Sequence, residues 1–239
     1  MTAALEARAL SLAVPGRTLL QGLDWRAQAG ERWCVLGRNA AGKSTLLRAL
    51  AGLDVPQFSG EVRWQGRPVG GWTPAEAAQC RTYQPQQAQD RFGLPVGRVL
   101  ELSRTAQASE VAGLLAQLDI EGLPARDVRT LSGGERQRVA LAQCAVQGAA
   151  VWLLDEPVSF QDPAHQRMVG QWLRGQQLHG LVITAHDINW VAEVATHVLM
   201  LHGDGRWAAG PVVEMLTAQR LEALYGCPWR HVGGAWLST

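Results

Sequence analysis

Lysine is nearly missing from this chain: of 22 basic residues, 21 are arginine and one is Lys43. An ammonium is compact and strongly hydrated, whereas a guanidinium is a wide planar fork. A single lysine against that background marks a place where the fork does not serve. Charge is thin as well. Charged residues are 18%, below the usual quarter, which suggests that a partner covers part of the surface. The net charge of +1 comes with no polybasic patch, so nothing points to nucleic acid or an anionic membrane surface. No apolar run approaches the 18 or so residues of a membrane span. The N-terminal residues carry Glu6 and Arg8 without an apolar stretch, so no signal peptide is expected. Cys34, Cys80, Cys144 and Cys227 are scattered with no CxxC pair. That fits reduced thiols in a cytosolic protein better than a disulfide framework or a zinc site. What remains is 239 residues with 47% hydrophobic content, enough for one large or two small domains with a core needing no staple.

Residues 4–36 read as strands, the last being Glu31–Leu36 before Gly37. A helix follows from Ser44 to Leu50, stopped by Gly52 and Pro56. Gly60 to Val69 reads as a strand pair, and Thr73-Pro74-Ala75-Glu76 as a capped helix start. Val111, Leu114, Leu115 and Leu118 share one helical face, and Ser132-Gly133-Gly134-Glu135 has capping-box spacing. Residues 87–150 are expected to form a helical subdomain inserted into an α/β core of residues 1–86 and 151–239. The core resumes with the apolar run Ala150–Leu154, a helix from Pro163 and a second run, Leu181–Thr184. Strand, crossover helix and strand imply a mostly parallel sheet covered on both faces. Gly233-Gly234 predicts a hairpin over Trp229–Ser238.

Gly37-Arg38-Asn39-Ala40-Ala41-Gly42-Lys43-Ser44 matches G-x-x-x-x-G-K-[ST] between a predicted strand and a predicted helix. The glycines let backbone N–H groups turn inward, and with the helix N-terminus they form an anion nest. Lys43 would reach the β- and γ-phosphates of a nucleotide, and the Ser44 hydroxyl a Mg²⁺ ion. Leu153-Leu154-Asp155-Glu156 ends an apolar strand with two carboxylates, at the sheet edge where α/β proteins bind ligands. Asp155 suits Mg²⁺ through its water shell, and Glu156 could polarise an attacking water. His186 follows another apolar strand and is expected at the same edge. The other five histidines, His165 among them, are read as having no role. Ser132-Gly133-Gly134 offers a second anion site at a helix N-terminus. One chain fills only one triphosphate site with its P-loop, so this second nest hints at a phosphate brought by another molecule.

In one order the chain thus carries GRNAAGKST, Gln86, LSGGERQRVALA at 131–142, VWLLDEP at 151–157, Ser159, Asp162 and His186. Together these resemble the ATP-binding subunits of ABC transporters, over essentially the whole chain. The resemblance implies a P-loop NTPase core with N-terminal antiparallel strands and an inserted helical subdomain. It implies ATP and Mg²⁺ as ligands. Residues Gly37, Arg38, Asn39, Ala40, Ala41, Gly42, Lys43, Ser44 and Thr45 would form Walker A. Gln86 would be the Q-loop glutamine, sensing Mg²⁺ beside Ser44 and Asp155, with residues 88–96 facing a membrane permease. Ser132, Gly133, Gly134 and Glu135 would form the signature loop that closes on the partner's ATP. Asp155 and Glu156 would be Walker B and the catalytic glutamate, Asp162 the D-loop aspartate and His186 the switch histidine.

The chain departs from the family pattern in three places. The aromatic residue that often stacks on adenine falls near Val14, beside Pro15 and Gly16; the D-loop reads Ser159-Phe160-Gln161-Asp162; and Ala40 stands where glycine is commoner. The stretch Tyr83–Gln87 with Phe92, Pro95-Val96 and Leu100–Leu102, and the ending Leu224-Tyr225-Gly226, are similar to importers of cobalamin, whose close relatives import ferric siderophores and haem. Such an assembly holds a homodimer of ATPase chains on the cytoplasmic face of the inner membrane. It sits under a permease dimer served by an extracytoplasmic binding protein, with no nucleic acid. The competing readings are a soluble ABC ATPase of iron–sulfur assembly, translation or DNA repair, and a P-loop nucleotide kinase, a class in which LSGGERQR has no task.

Overall fold

The computed structural model of the protein describes residues 3–87, 92–103 and 108–239, with backbone alone for 108–110. The N-terminal strands β1 (Leu5–Val14) and β2 (Arg17–Ala27) form an antiparallel hairpin, followed by β3 (Arg32–Leu36) and helix α1 (Lys43–Leu50). Next come β4 (Gln57–Trp64), β5 (Arg67–Pro68), α2 (Pro74–Cys80) and β6 (Arg81–Gln84). Helices α3 (Val96–Leu102), α4 (Ala108–Gln117) and α5 (Gly133–Gln147) fill the middle of the chain. Then β7 (Val151–Asp155), α6 (Pro163–Gly175), β8 (Gly180–Thr184), α7 (Ile188–Val194) and β9 (His197–Leu201) return to the α/β pattern. The chain ends through β10 (Trp207–Pro211), α8 (Val212–Met215), α9 (Ala218–Tyr225) and the hairpin β11 (Trp229–Val232) and β12 (Ala235–Ser238).

The central sheet has the order β10-β9-β3-β8-β7-β6, with parallel pairing throughout except at β10. Strands β3, β7, β8 and β9 are buried on both faces, which is why they read as unbroken apolar runs. Successive residues face opposite sides. Trp33, Val35, Val151, Leu153, Val182 and Leu199 join one apolar cluster with α1 and the N-terminal sheet. Cys34, Leu36, Trp152, Leu154, Ile183 and Val198 join the other, under α5, α6, α7 and α9. Strands β3, β8 and β7 are neighbours, so their C-terminal ends lie side by side along one sheet edge.

The second sheet, β2-β1-β4-β5, is antiparallel. Here the expected strand pair over 60–69 needs correction. Strand β4 begins at Gln57 and β5 spans two residues, with a 3₁₀ turn from Val69. Gln57, Phe58 and Ser59 pair with Ala13, Leu12 and Ser11 but are exposed. They show no apolar alternation to betray a strand. Helix α2 begins as expected: Glu76 N–H donates to Thr73 Oγ1 at 3.3 Å, and Thr73 N–H donates to Glu76 Oε2 at 2.8 Å.

Candidate nucleotide site

The loop Gly37–Gly42 joins β3 to α1. Both glycines are required by close approach. A Cβ at Gly37 would lie 2.6 Å from the Leu201 carbonyl oxygen, and Gly42 has φ +100° with Leu19 Cβ 3.1 Å from where its own Cβ would be. Gly42 is the N-cap of α1 and contributes no side-chain cap, and the first turn holds no acidic residue. The leading amides and the positive end of the helix dipole are left for an outside anion. Ala40 adopts φ +60°, the left-handed backbone that glycine takes without strain.

Lys43 is 7% exposed. Its ammonium folds back over the loop, donating to the carbonyls of Gly37 at 2.9 Å and Arg38 at 3.3 Å. Burial pushes its pKa below the usual lysine value, opposed by the nearby carboxylates of Glu156 and Asp155.

Asp155 closes β7 and is 2% exposed. Its Oδ1 accepts from the Thr184 hydroxyl at 2.5 Å, across the β7–β8 register that pairs the two residues. Glu156 turns out of the strand with φ +51°, so the adjacent carboxylates point apart. Thr184 and Gln137 hold that turn: Glu156 N–H donates to Thr184 Oγ1 at 2.9 Å, and Gln137 Nε2 donates to the Glu156 carbonyl at 3.0 Å. The Glu156 carboxylate meets three side chains. Its Oε1 lies 2.5 Å from His186 Nε2, and its Oε2 accepts from Gln86 Nε2 at 2.8 Å and from the Ser159 hydroxyl at 2.9 Å. Gln86, Glu156 and His186 line one cavity of about 550 Å³ together with Lys43, Ser44, Thr45, Asn39, Ala40 and Gly42.

Ser132–Glu135 does not line that cavity. Ser132 caps α5: its hydroxyl accepts from Glu135 N–H at 3.2 Å, and its own N–H donates to Glu135 Oε2 at 2.7 Å. That N–H is the first cause holding the Glu135 carboxyl below its usual range. Arg126 Nη1 donates to the other oxygen at 2.9 Å. A Cβ at Gly133 would stand 3.1 Å from Phe160 Cβ, and one at Gly134 3.1 Å from the Phe160 carbonyl oxygen. The two glycines thus let the segment before α6 pack on the N-terminus of α5. Gly133 and Phe160 line a separate cavity of about 280 Å³ with Gln86.

Asp162 is the N-cap of α6, accepting from His165 N–H at 3.0 Å. His165, read as having no functional role, lies away from the nucleotide cavity and makes a structural contact: Nδ1 lies 2.7 Å from Asp162 Oδ2 and Nε2 2.9 Å from Asp119 Oδ2. Of the segment expected to face a permease, residues 88–91 lie outside the described residues. Sequence reasoning did not single out Thr184 or Gln137. Thr184 had a signal, a hydroxyl closing an apolar strand; Gln137 depends on tertiary placement.

The chain matches the ABC transporter family over residues 20–159. It is 38% identical to the hemin import ATP-binding protein HmuV of Streptomyces coelicolor over 224 residues, covering 89% of this chain and 80% of that one. It is also 38% identical to the protein of the same name from Deinococcus radiodurans, over 91% of this chain and 88% of that one. A solved structure described as an inward-facing conformation of a putative metal-chelate type ABC transporter aligns at a TM-score of 0.79 with 26% identity, covering 99% of this chain and 96% of that one. With residues 20–159 matched to that family and such relatives alike over nearly its full length, the chain belongs to the ABC transporter family, among its ATP-binding subunits.

Proposed function

We propose that this chain is the ATP-hydrolysing subunit of an importer for haem or a related iron chelate. One observation carries the chemistry: the P-loop and the Glu156–His186–Gln86 cluster face the same cavity. The cargo class rests on the hemin import proteins to which the chain is similar over most of its length.

The P-loop amides and Lys43 bind the phosphates of ATP. Glu156 accepts a proton from the water that attacks the γ-phosphorus, and the bond to the ADP oxygen breaks as the new P–O bond forms. His186 orients the Glu156 carboxylate from one oxygen, and Gln86 and Ser159 from the other. A hydroxyl at Ser44, an amide oxygen at Gln86 and a carboxylate at Asp155 are hard oxygen donors of few charges, a set that fits Mg²⁺, which keeps several of its waters. Held by these residues, Mg²⁺ would neutralise negative charge on the phosphates during transfer. The Ser132–Glu135 loop, which does not line its own chain's P-loop cavity, completes the ATP site of a second copy. Two copies sit under a permease dimer on the cytoplasmic face of the membrane, with a substrate-binding protein on the other side. Among the described residues no helix is long and apolar enough to cross a membrane; in this reading the path across it lies in the permease.

Affinity purification of the tagged chain from detergent-solubilised membranes tests this reading. A permease should co-purify, and ATP hydrolysis by the complex should rise when haem-loaded binding protein is added. Stimulation by cobalamin in place of haem would change the cargo and leave the ATPase reading intact. Purification without any membrane protein would favour the soluble ABC ATPase.

A further inference from the structure

The family's adenine-stacking place holds Val14, a side chain with no flat face. Strand β1 ends there, and the two-residue turn Pro15-Gly16 brings Arg17, the first residue of β2, into direct register with it. Cross-strand partners stand about 5 Å apart at Cβ. Val14, Arg17 and Leu19 all line the cavity that holds Lys43 and Ser44. Leu19 lies against Gly42, at the phosphate end. Arg17 is two residues back along the strand, a displacement of about 6–7 Å. The wall therefore runs from the phosphate cradle through Leu19 to Arg17 and Val14.

The guanidinium is fixed there on one side. Arg17 Nε donates to the Gly203 carbonyl at 2.8 Å. Gly203, at φ +76°, leaves the space the fork occupies: a Cβ there would stand 2.5 Å from Arg17 Nη2 and 3.0 Å from Ala41 Cα of the P-loop. Gly205, in the same loop, accepts the Gln21 N–H of β2 at 2.9 Å, so that loop is tied to the strand carrying Arg17. Arg17 remains exposed. Among the described residues, the one aromatic ring lining the cavity, His186, is already engaged with Glu156. On the Val14 wall, Arg17 is the planar group available, and a guanidinium stacks on the face of a nucleobase much as an aromatic ring does.

We propose that the Arg17 guanidinium, clamped by the Gly203 carbonyl, is the platform on which the nucleotide base stacks, replacing the family's aromatic residue. The proposal rests on the reading of this cavity as the ATP site. A stacking platform touches the base and not the phosphates, and it accepts any purine because every base has a π-face.

Isothermal titration of the full chain with Mg²⁺-ATP, Mg²⁺-GTP and inorganic tripolyphosphate separates the possibilities. Arg17→Ala should weaken ATP and GTP alike, by about tenfold, a modest value for one lost stacking contact. It should leave tripolyphosphate within about twofold. Arg17→Lys should behave as Arg17→Ala does, because it keeps charge and loses the plane. Arg17→Trp should restore ATP binding to within about threefold of the parent. Equal losses for ATP and tripolyphosphate would place the guanidinium on the phosphates and overturn the proposal. So would full binding by Arg17→Ala, normal binding by Arg17→Lys, or failure of Arg17→Trp to restore. Lys43→Ala is the separate control: if it binds tripolyphosphate normally, the phosphate-cradle reading fails, whatever Arg17 does.

Discussion

At the scale of single residues, two positions of the P-loop expose what the loop demands. The Lys43 ammonium donates to two loop carbonyls from a site that is 7% exposed. A guanidinium in that space would have five donors to satisfy and a wider plane to fit. Lys43→Ala and Lys43→Arg should therefore both lose ATP binding by isothermal titration, and near-normal affinity in either would be the contrary result. Ala40 shows the opposite tension. It holds φ +60° with a Cβ, a conformation that costs an alanine roughly 1–2 kcal/mol. Glycine releases that strain and gives back part of it through a more flexible unfolded chain, about 0.4–1 kcal/mol. Ala40→Gly should therefore stabilise the protein by about 0.5–1 kcal/mol, raising Tm by about 2 °C in calorimetry. An unchanged or lower Tm would show that the loop is not strained at this residue.

Among elements, His165 straps the loop after α4 to the N-terminus of α6, and this strap is expected to respond to pH. His165 stands between Asp162, the cap of its own helix, and Asp119, with Arg138 of α5 as the opposing charge. The bonds to Asp119 and then Asp162 raise the His165 pKa above its ordinary 6.5. Protonation is thus favoured in the folded state. The stability it contributes is complete below pH 6.5 and is lost as pH climbs through the raised value. Asp162 shifts the other way, held below its ordinary 3.8 first by the His165 backbone N–H. Its contribution is present above pH 3.8 and lost as acid protonates it. Urea unfolding of His165→Gln and parent should differ most between those limits, near pH 5–6, and converge at alkaline pH; a difference independent of pH would mean that the ring acts by packing alone. This strap was illegible in the sequence because it joins residues 119 and 165, with no local pattern to mark it. The doubly buried strands were legible, since β3, β7 and β8 need apolar side chains on both faces. The exposed start of β4 was not, for want of that need. The P-loop, the acid pair and His186 could be placed together because strand ends in a parallel sheet share one edge. Thr184 and Gln137 could not, since the register opposite Asp155 and the approach of α5 to Glu156 are tertiary facts.

For the whole molecule, the decisive geometry is a separation. The P-loop cavity is lined by Glu156, Gln86 and His186, whereas Gly133 of the signature loop lines a different cavity and Ser132 is exposed. In a two-fold dimer every such surface appears twice, so a loop unused by its own chain can complete the site of its partner. In the dimer proposed above, ATP would lie between copies and act as glue as well as substrate. Two variants separate those roles. Glu156→Gln keeps the shape of the side chain and an oxygen to accept from Gln86 and Ser159, turns the His186-facing oxygen into an N–H2 donor, and cannot accept the water's proton, so hydrolysis should fall by about 10²–10⁴. ATP should still bind, and with turnover stalled the closed dimer should accumulate. Ser132→Arg should leave ATP binding by each chain intact, since Ser132 lies outside the P-loop cavity, but should block closure. Light scattering after size exclusion, with and without Mg²⁺-ATP and beside a phosphate-release assay, reads both. Normal hydrolysis by Glu156→Gln would remove Glu156 as the base. An inactive Glu156→Gln that stays monomeric with ATP, both alone and when assembled with the permease, would show that each ATP site is complete within one chain.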